Sequence, residues 1–329
     1  MARKKMLYLI VDTETATLPY VRTLNLTPKE RTKVSIAKPL IYDIGWTICD
    51  RQGNIVKREN YLVQETFFVP SVFNTAYYKD KRNVYMQKLQ EKKISADLWN
   101  NIAEKLLADL KTADFVIAYN GCFDMKKAIP FTEAYINALY SDNYNEWEEK
   151  QKKAIDYMVK DGKGGSNPNY LDAEFIFREH TFPMVDLWGV ACEKLINANK
   201  YKDYCLEHDH LTASGVYFKT SAETAYQYLM EKYDFVESHT ALDDAEIETQ
   251  ILAKALKKGK LVAEIKPFPF RELGDTVDYV CERKPQYIEK VRTSITIHLE
   301  SFTEESAYTT RIQNLIDRLT ARENFLKEN

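Results

Sequence analysis

Four carboxylates and one imidazole, spread over most of the chain, have the residue types and spacings of a reaction centre. Asp12 and Glu14 follow the apolar run Leu7 to Val11, which reads as a central strand buried on both faces. Side chains alternate along a strand, so these two acids point to one side. Two acids at the end of a buried strand repel each other and are costly to desolvate. A divalent cation between them would relieve both penalties. A strand ending in a solvated polar turn is the other reading, and this stretch alone fits both. Asp124 stands at a second junction, where the buried run Phe115 to Tyr119 passes through Asn120-Gly121-Cys122-Phe123 into a helical segment. Asp244 lies at the start of a long helix from about Ala241 to Lys257, with His239 five residues before it. In open α/β sheets such junctions collect active-site groups. Asp243 and Asp244 are neighbours, and neighbours on a helix point about 100° apart, so only one can face a shared site. The spacing from His239 favours Asp244 and leaves Asp243 to favour the helix dipole.

The elements that must position these residues follow from pattern. Pro39 to Asp50 and Asn54 to Val63 form a hairpin around Asp50-Arg51-Gln52-Gly53, so the sheet begins as three antiparallel strands. Ser95 to Lys111 is expected to be helical, with Ser95 as its cap and Ile102, Leu106, Leu107 and Leu110 on one face. A short strand is expected over Thr181 to Asp186, then a helix from Leu187 to about Asn197 and another over Ser221 to Tyr233. Three stretches exceed this plan. Residues 15–39 read as a long loop carrying Arg22, Lys29, Arg31, Lys33 and Lys38 against Glu30 alone, either a basic rim for a phosphate backbone or a solvated loop. Residues 64–94 are irregular and mix aromatics with cations, among them Phe67, Phe68, Tyr77, Tyr78, Lys79, Lys81, Arg82 and Tyr85. Such a mixture either stacks bases and holds phosphates or packs. Residues 140–180 form an insertion whose glycines do not match a phosphate-cradling loop. His208-Asp209-His210 is read as a polar surface turn rather than a metal pair.

With 329 residues the chain divides into a catalytic-size α/β domain, 1–258, and a C-terminal extension, 259–329. In the extension, Ser294 to Phe302 alternates like a strand. Thr303 to Phe325 is an amphipathic helix with Ile312, Leu315, Ile316 and Leu319 on one side. It is expected to pack on the main domain, with a homodimer or protein partner bound through it as the runner-up. A net charge of -3 offers no global basic field for long duplexes. The five cysteines are scattered without a C-x-x-C pair, which fits a reducing cytosol. Residues 1–11 read as neither a signal peptide nor a membrane span, so a cytoplasmic protein with no membrane partner is expected.

The three segments, taken in order, carry D-x-E at Asp12 and Glu14, N-x-x-F-D at Asn120, Phe123 and Asp124, and H-x-A-x-x-D at His239, Ala241 and Asp244. This pattern resembles the DEDDh family of 3′-to-5′ exonucleases, which includes ribonuclease T, oligoribonuclease and the proofreading subunit of bacterial DNA polymerase III. Val11 to Ala16 is especially similar to the ribonuclease T version. Tyr42-Asp43-Ile44-Gly45 and Val185-Asp186-Leu187 match secondary markers. The resemblance runs discontinuously from about Lys5 to Leu256 and leaves the extension unmatched. It implies an RNase H-like fold, a mixed five-stranded sheet flanked by helices. It also implies two Mg²⁺ or Mn²⁺ ions held by Asp12, Glu14, Asp124 and Asp244, with His239 as general base. Two such ions clamp the attacking and leaving oxygens of a phosphodiester in line. Thr15, Asn120 and Phe123 would lie near the substrate end, although Phe123 also suits core packing. The implied substrate is single-stranded nucleic acid with a free 3′ end, released as nucleoside 5′-monophosphates. A catalytically weak module that binds nucleic acid or a partner is the alternative. No motif separates DNA from RNA.

Overall fold

β1 (Leu7–Ala16) is the axis of the sheet because its apolar residues can be covered on both faces and its neighbours pair with it in opposite senses. The computed structural model describes residues 5–161, 174–259, 261, 273–302 and 304–328. In chain order β1 is followed by α1 (Pro28–Ala37), β2 (Leu40–Asp50) and β3 (Ile55–Val63). Then come α2 (Gln64–Phe67), α3 (Pro70–Phe73), α4 (Arg82–Gln90), β4 (Ser95–Asp97), α5 (Trp99–Leu110) and β5 (Phe115–Ala118). α6 (Gly121–Phe123) and α7 (Ile129–Leu139) flank a wide π-helical turn, Asp124–Ala128. α8 (Tyr144–Asp161), β6 (Glu174–Phe177), β7 (His180–Asp186), α9 (Leu187–Lys194), α10 (Asn199–Glu207), α11 (Ala222–Met230) and α12 (Ala241–Lys257) follow. The last helices are α13 (Asp275–Arg283), α14 (Ile288–Glu300) and α15 (Ala307–Glu328).

The result is an α/β fold with a mixed sheet in the order β4-β3-β2-β1-β5-β7-β6. β1, β2 and β3 are antiparallel, while β5 pairs parallel with β1 and β7 parallel with β5. This is the expected set of five strands. The sheet is wider than expected by an edge strand on each side: β4 runs parallel to β3, and β6 antiparallel to β7.

Several expectations need correction. Residues 15–39 are not one loop: α1 forms there because Thr27 and Glu30 close a reciprocal capping box ahead of Pro28. Ser95 does not cap a helix. It pairs with Tyr61 in β4, and α5 begins at Trp99. Residues 64–93 are mostly short helices, and Phe67, Phe73, Tyr85 and Tyr42 bury their rings against one another there. Ser294 to Phe302 is not a strand. Ile288, Val291 and Ile295 are buried at helical spacing in α14, and Ile297, which would share a strand face with Ile295, is 63% exposed. α15 buries Ile312, Leu315 and Leu319 as expected.

The chain forms two compact units, Met1–Trp188 with Phe235–Glu264, and Gly189–Asp234 with Ile265–Asn329. The second unit is helical. Tyr279 donates to Asp203 (2.7 Å), Lys290 to the Leu206 carbonyl (2.6 Å) and Thr276 to the Gly215 carbonyl (2.7 Å), tying α13 and α14 to the segment 199–215. Residues 189–234 thus group with the C-terminal helices.

In the first unit, the N-terminus of α12 lies directly on β2. A Cβ at Gly45 would stand 2.2 Å from the Leu242 nitrogen and 2.5 Å from its Cα, so only glycine permits this approach. Gly45→Ala must push α12 off the sheet. It is expected to lower stability by about 1–3 kcal/mol, the usual penalty of overpacking, measured by denaturant unfolding. An unchanged midpoint would show that α12 does not depend on this contact.

Candidate metal centre

The register of β1 against β2 sets the centre. Asp12 lies opposite Gly45 and Glu14 opposite Asp43. Asp43 is fully buried, and its Oδ2 accepts the Ala241 N–H at 2.9 Å while Asn60 donates to its Oδ1 at 2.7 Å. It thereby satisfies one of the unpaired amides at the start of α12. Burial, against these hydrogen bonds, pushes its carboxyl up to about 6. The Thr47 and Thr249 hydroxyls, 2.6 Å apart, fix the same helix two turns further on.

With α12 held there, a carboxylate oxygen of Glu14, a ring nitrogen of His239 and a carboxylate oxygen of Asp244 lie within 4.8 Å of one another. Asp244 is buried, and its Oδ1 has no hydrogen-bond partner among the described residues. Burial, followed by the charges of Glu237 and Asp243, pushes it up to about 9. Glu14 is raised well above the usual carboxylate range by burial and by Asp244. Asp12 is raised likewise, by burial and then by Asp124, Glu248, Asp244 and Glu14. Asp124 enters from the π-helical turn, where the Asn120 carbonyl accepts its N–H at 3.2 Å. Thr13 donates to its Oδ1 at 2.5 Å. Burial outweighs that bond and pushes Asp124 up to about 7. Among the described residues the converging ligand atoms are those of Glu14, Asp244 and His239, while Asp12 and Asp124 are outside that group and join it as charge neighbours. Asp243 faces elsewhere. Burial raises its pKa, but Lys88 and Ser238, each donating at 2.7 Å, more than offset this.

His239 has a left-handed backbone (φ 52°), a conformation uncommon for residues other than glycine. The segment 77–88 holds it there. The Tyr78 ring stacks on the imidazole with centroids 4.3 Å apart, and Tyr85 donates to the His239 carbonyl at 3.2 Å. Lys81 donates to the Ser238 carbonyl at 2.6 Å and also opposes the raised pKa values of Glu14 and Asp244.

Buried Asp43 and Asp186 also act on the cluster by charge, as do Glu248 and Glu237, which were not expected from the sequence. Glu248, one turn after Asp244 and 2% exposed, accepts the Tyr119 N–H at 3.1 Å and is raised well above the usual range by burial and Asp124. Its i,i+4 spacing from Asp244 was the available signal. Glu237 lies 3.5 Å from His239 Nδ1, and no local pattern announces it. Among the expected substrate neighbours, Thr15 and Phe123 line a cleft of about 630 Å³, together with Arg22, Arg31, Tyr77 and Lys79. Asn120 is not on that lining; its backbone carbonyl closes the turn that carries Asp124. His208 and His210 pack on aromatic rings, with His210 Nε2 3.0 Å from the Tyr204 hydroxyl.

A set of carboxylate oxygens with one imidazole, mutually repelling and including an orphaned buried oxygen, fits hard divalent cations such as Mg²⁺ or Mn²⁺. This has a pH signature. The folded pKa values of about 7 for Asp124 and about 9 for Asp244 exceed the ordinary value of about 4. The folded chain keeps protons that the unfolded chain releases. The resulting stabilisation is full below about pH 4 and is lost as pH rises through the folded values. The melting temperature of metal-free protein is expected to fall from about pH 5.5 to about pH 8.5. Saturating Mn²⁺ should raise it by several degrees, more at the higher pH, by ligand linkage. A gain independent of pH in differential scanning calorimetry would count against a carboxylate site. No family model, curated protein or solved structure matches the chain.

Proposed function

We propose that the protein is a metal-dependent 3′-to-5′ exonuclease of the DEDDh type, built on an RNase H-like sheet, that removes nucleoside 5′-monophosphates from single-stranded ends. The observation that carries this reading is the convergence of Glu14, Asp244 and His239 within 4.8 Å, with Asp12 and Asp124 as charge neighbours. The five central strands, three antiparallel and two parallel, support it. In this reading Asp12, Glu14, Asp124 and Asp244 would hold the cations. Divalent ions bound there would polarise the attacking water and offset charge on the departing 3′ oxygen. His239 takes the proton of that water. Glu237, facing Nδ1 at 3.5 Å, favours the imidazolium that results. Tyr78 prevents the ring from swinging away from Glu14 and Asp244.

The test uses 5′-labelled single-stranded DNA and RNA of equal sequence with Mg²⁺ or Mn²⁺. A ladder shortening from the 3′ end is expected, and it should vanish with chelator. Internal cuts, or no cuts on either strand, would overturn the reading. His239→Ala should reduce turnover by about 10²–10⁴-fold, the usual contribution of a general base. Asp12→Ala should abolish turnover yet raise the melting temperature of metal-free protein near pH 8, because one repelling carboxylate is gone. A variant that both loses activity and melts earlier would indicate a structural role for Asp12 instead.

A further inference from the structure

Beside the acid-rich centre lies a surface of opposite character. The cleft of about 630 Å³ is bounded by the end of β1, by α1 and the turn before it, and by the segment 74–79. Its volume is that of a small-ligand site. Three cations, Arg22, Arg31 and Lys79, line it, and no acidic side chain does. All three are exposed, and among the described residues none has an ion-pair partner. Elsewhere in this unit many cations are neutralised, as Lys57 is by Asp109, Lys88 by Asp243 and Lys105 by Asp97. Uncompensated cations converging on one concavity mark a place for an anion.

Position says which anion. Thr15 and Phe123, on the cleft wall, are the chain neighbours of Glu14 and Asp124, so the cleft begins where the acid cluster ends. Tyr77 closes it with a ring that is 86% exposed and stands edge-on to Tyr78, which in turn stacks on His239. An exposed ring beside unpaired cations is the arrangement that holds single strands, the base on the ring and the phosphates on the charges.

Building on the nuclease reading, we propose that this cleft binds the phosphodiester backbone of the strand just 5′ of the bond to be cut. Arg22, Arg31 and Lys79 take the phosphates and Tyr77 takes a base. Recognition would therefore extend beyond the terminal nucleotide, through α1, an element of the 15–39 insertion.

The test measures binding without cutting: fluorescence anisotropy of a 5′-fluorescein-labelled twelve-residue oligothymidylate on the Asp12→Ala protein in chelator, over a salt series. Adding Arg22→Ala and Arg31→Ala should raise Kd about tenfold or more. It should also flatten the dependence of log Kd on log salt by about 1.4, which is two phosphates at about 0.7 each for single strands. Arg22→Lys with Arg31→Lys should restore the slope. Tyr77→Ala should weaken binding about fivefold or more with the slope unchanged, as expected for lost stacking. Lys111→Ala, an exposed cation outside the cleft, should change neither quantity. Unchanged Kd and slope in the double arginine variant would overturn the cleft assignment, even if the wild type shortens strands with Mn²⁺. Lost affinity in that variant, with a wild type that never cuts, would support strand binding by the cleft and overturn the nuclease reading.

Discussion

Like-charge repulsion is the constraint around which the first unit is built. Burial raises the pKa values of Asp12, Glu14, Asp124, Asp244 and Glu248, and the charges of neighbouring acids raise them further, so the scaffold must resist their separation. Three contacts do so. Gly45 lets α12 rest on β2 with backbone against backbone, Asp43 anchors the first amide of that helix, and Thr13 ties Asp124 back to β1. Each acts on the backbone of an acid-bearing element or next to an acid. A tightly packed interior does not deform gradually, so these contacts convert stability elsewhere in the sheet into fixed carboxylate positions.

Much of this was legible in the sequence because the signals were local and periodic. The apolar run ending in Asp12 and Glu14, the hairpin around Gly53 and the helix carrying Asp244 all appear where composition and spacing put them. The angle between helical neighbours allowed only one of Asp243 and Asp244 to face the site and the spacing from His239 chose Asp244, and Lys88 and Ser238 occupy the acid that faces away. The failures were of two kinds. Ser95 looked like a cap because a serine ahead of an amphipathic run usually is one, but pairing with β3 took those residues into the sheet. The β-branched run after Ser294 looked like a strand because Ile295, Ile297 and Leu299 alternate. The decisive register, Ile288, Val291 and Ile295, begins several residues earlier.

What the sequence could not disclose were tertiary neighbours. Glu237 has no pattern of its own, and its place beside His239 depends on a loop with left-handed backbone at His239 itself. The aromatic and basic stretch 64–94 divides in a way composition could not anticipate. Phe67, Phe73 and Tyr85 are buried packing, with Arg82 over two of those rings. Tyr78 and Lys81 brace the histidine, and Tyr77 and Lys79 face the cleft. Charge runs behave similarly: of the five cations in residues 15–39, Lys38 bonds Gln151 at 2.8 Å while Arg22 and Arg31 line the cleft.

The centre and the cleft beside it are joined by one short segment. The segment 77–88 touches the His239 loop through Tyr78, Lys81, Tyr85 and Lys88, and it touches the cleft through Tyr77 and Lys79. A strained backbone persists only when its surroundings over-determine it, and here Tyr78 and Tyr85 contact His239 itself while Lys81 and Lys88 hold Ser238, Thr240 and Asp243 on either side. Anything that pulls on Tyr77 or Lys79 therefore acts on a segment that also positions the imidazole. Tyr77 at the cleft and Tyr78 on the imidazole are adjacent in the chain and meet edge to face, so the two surfaces share one short segment as well as the sheet.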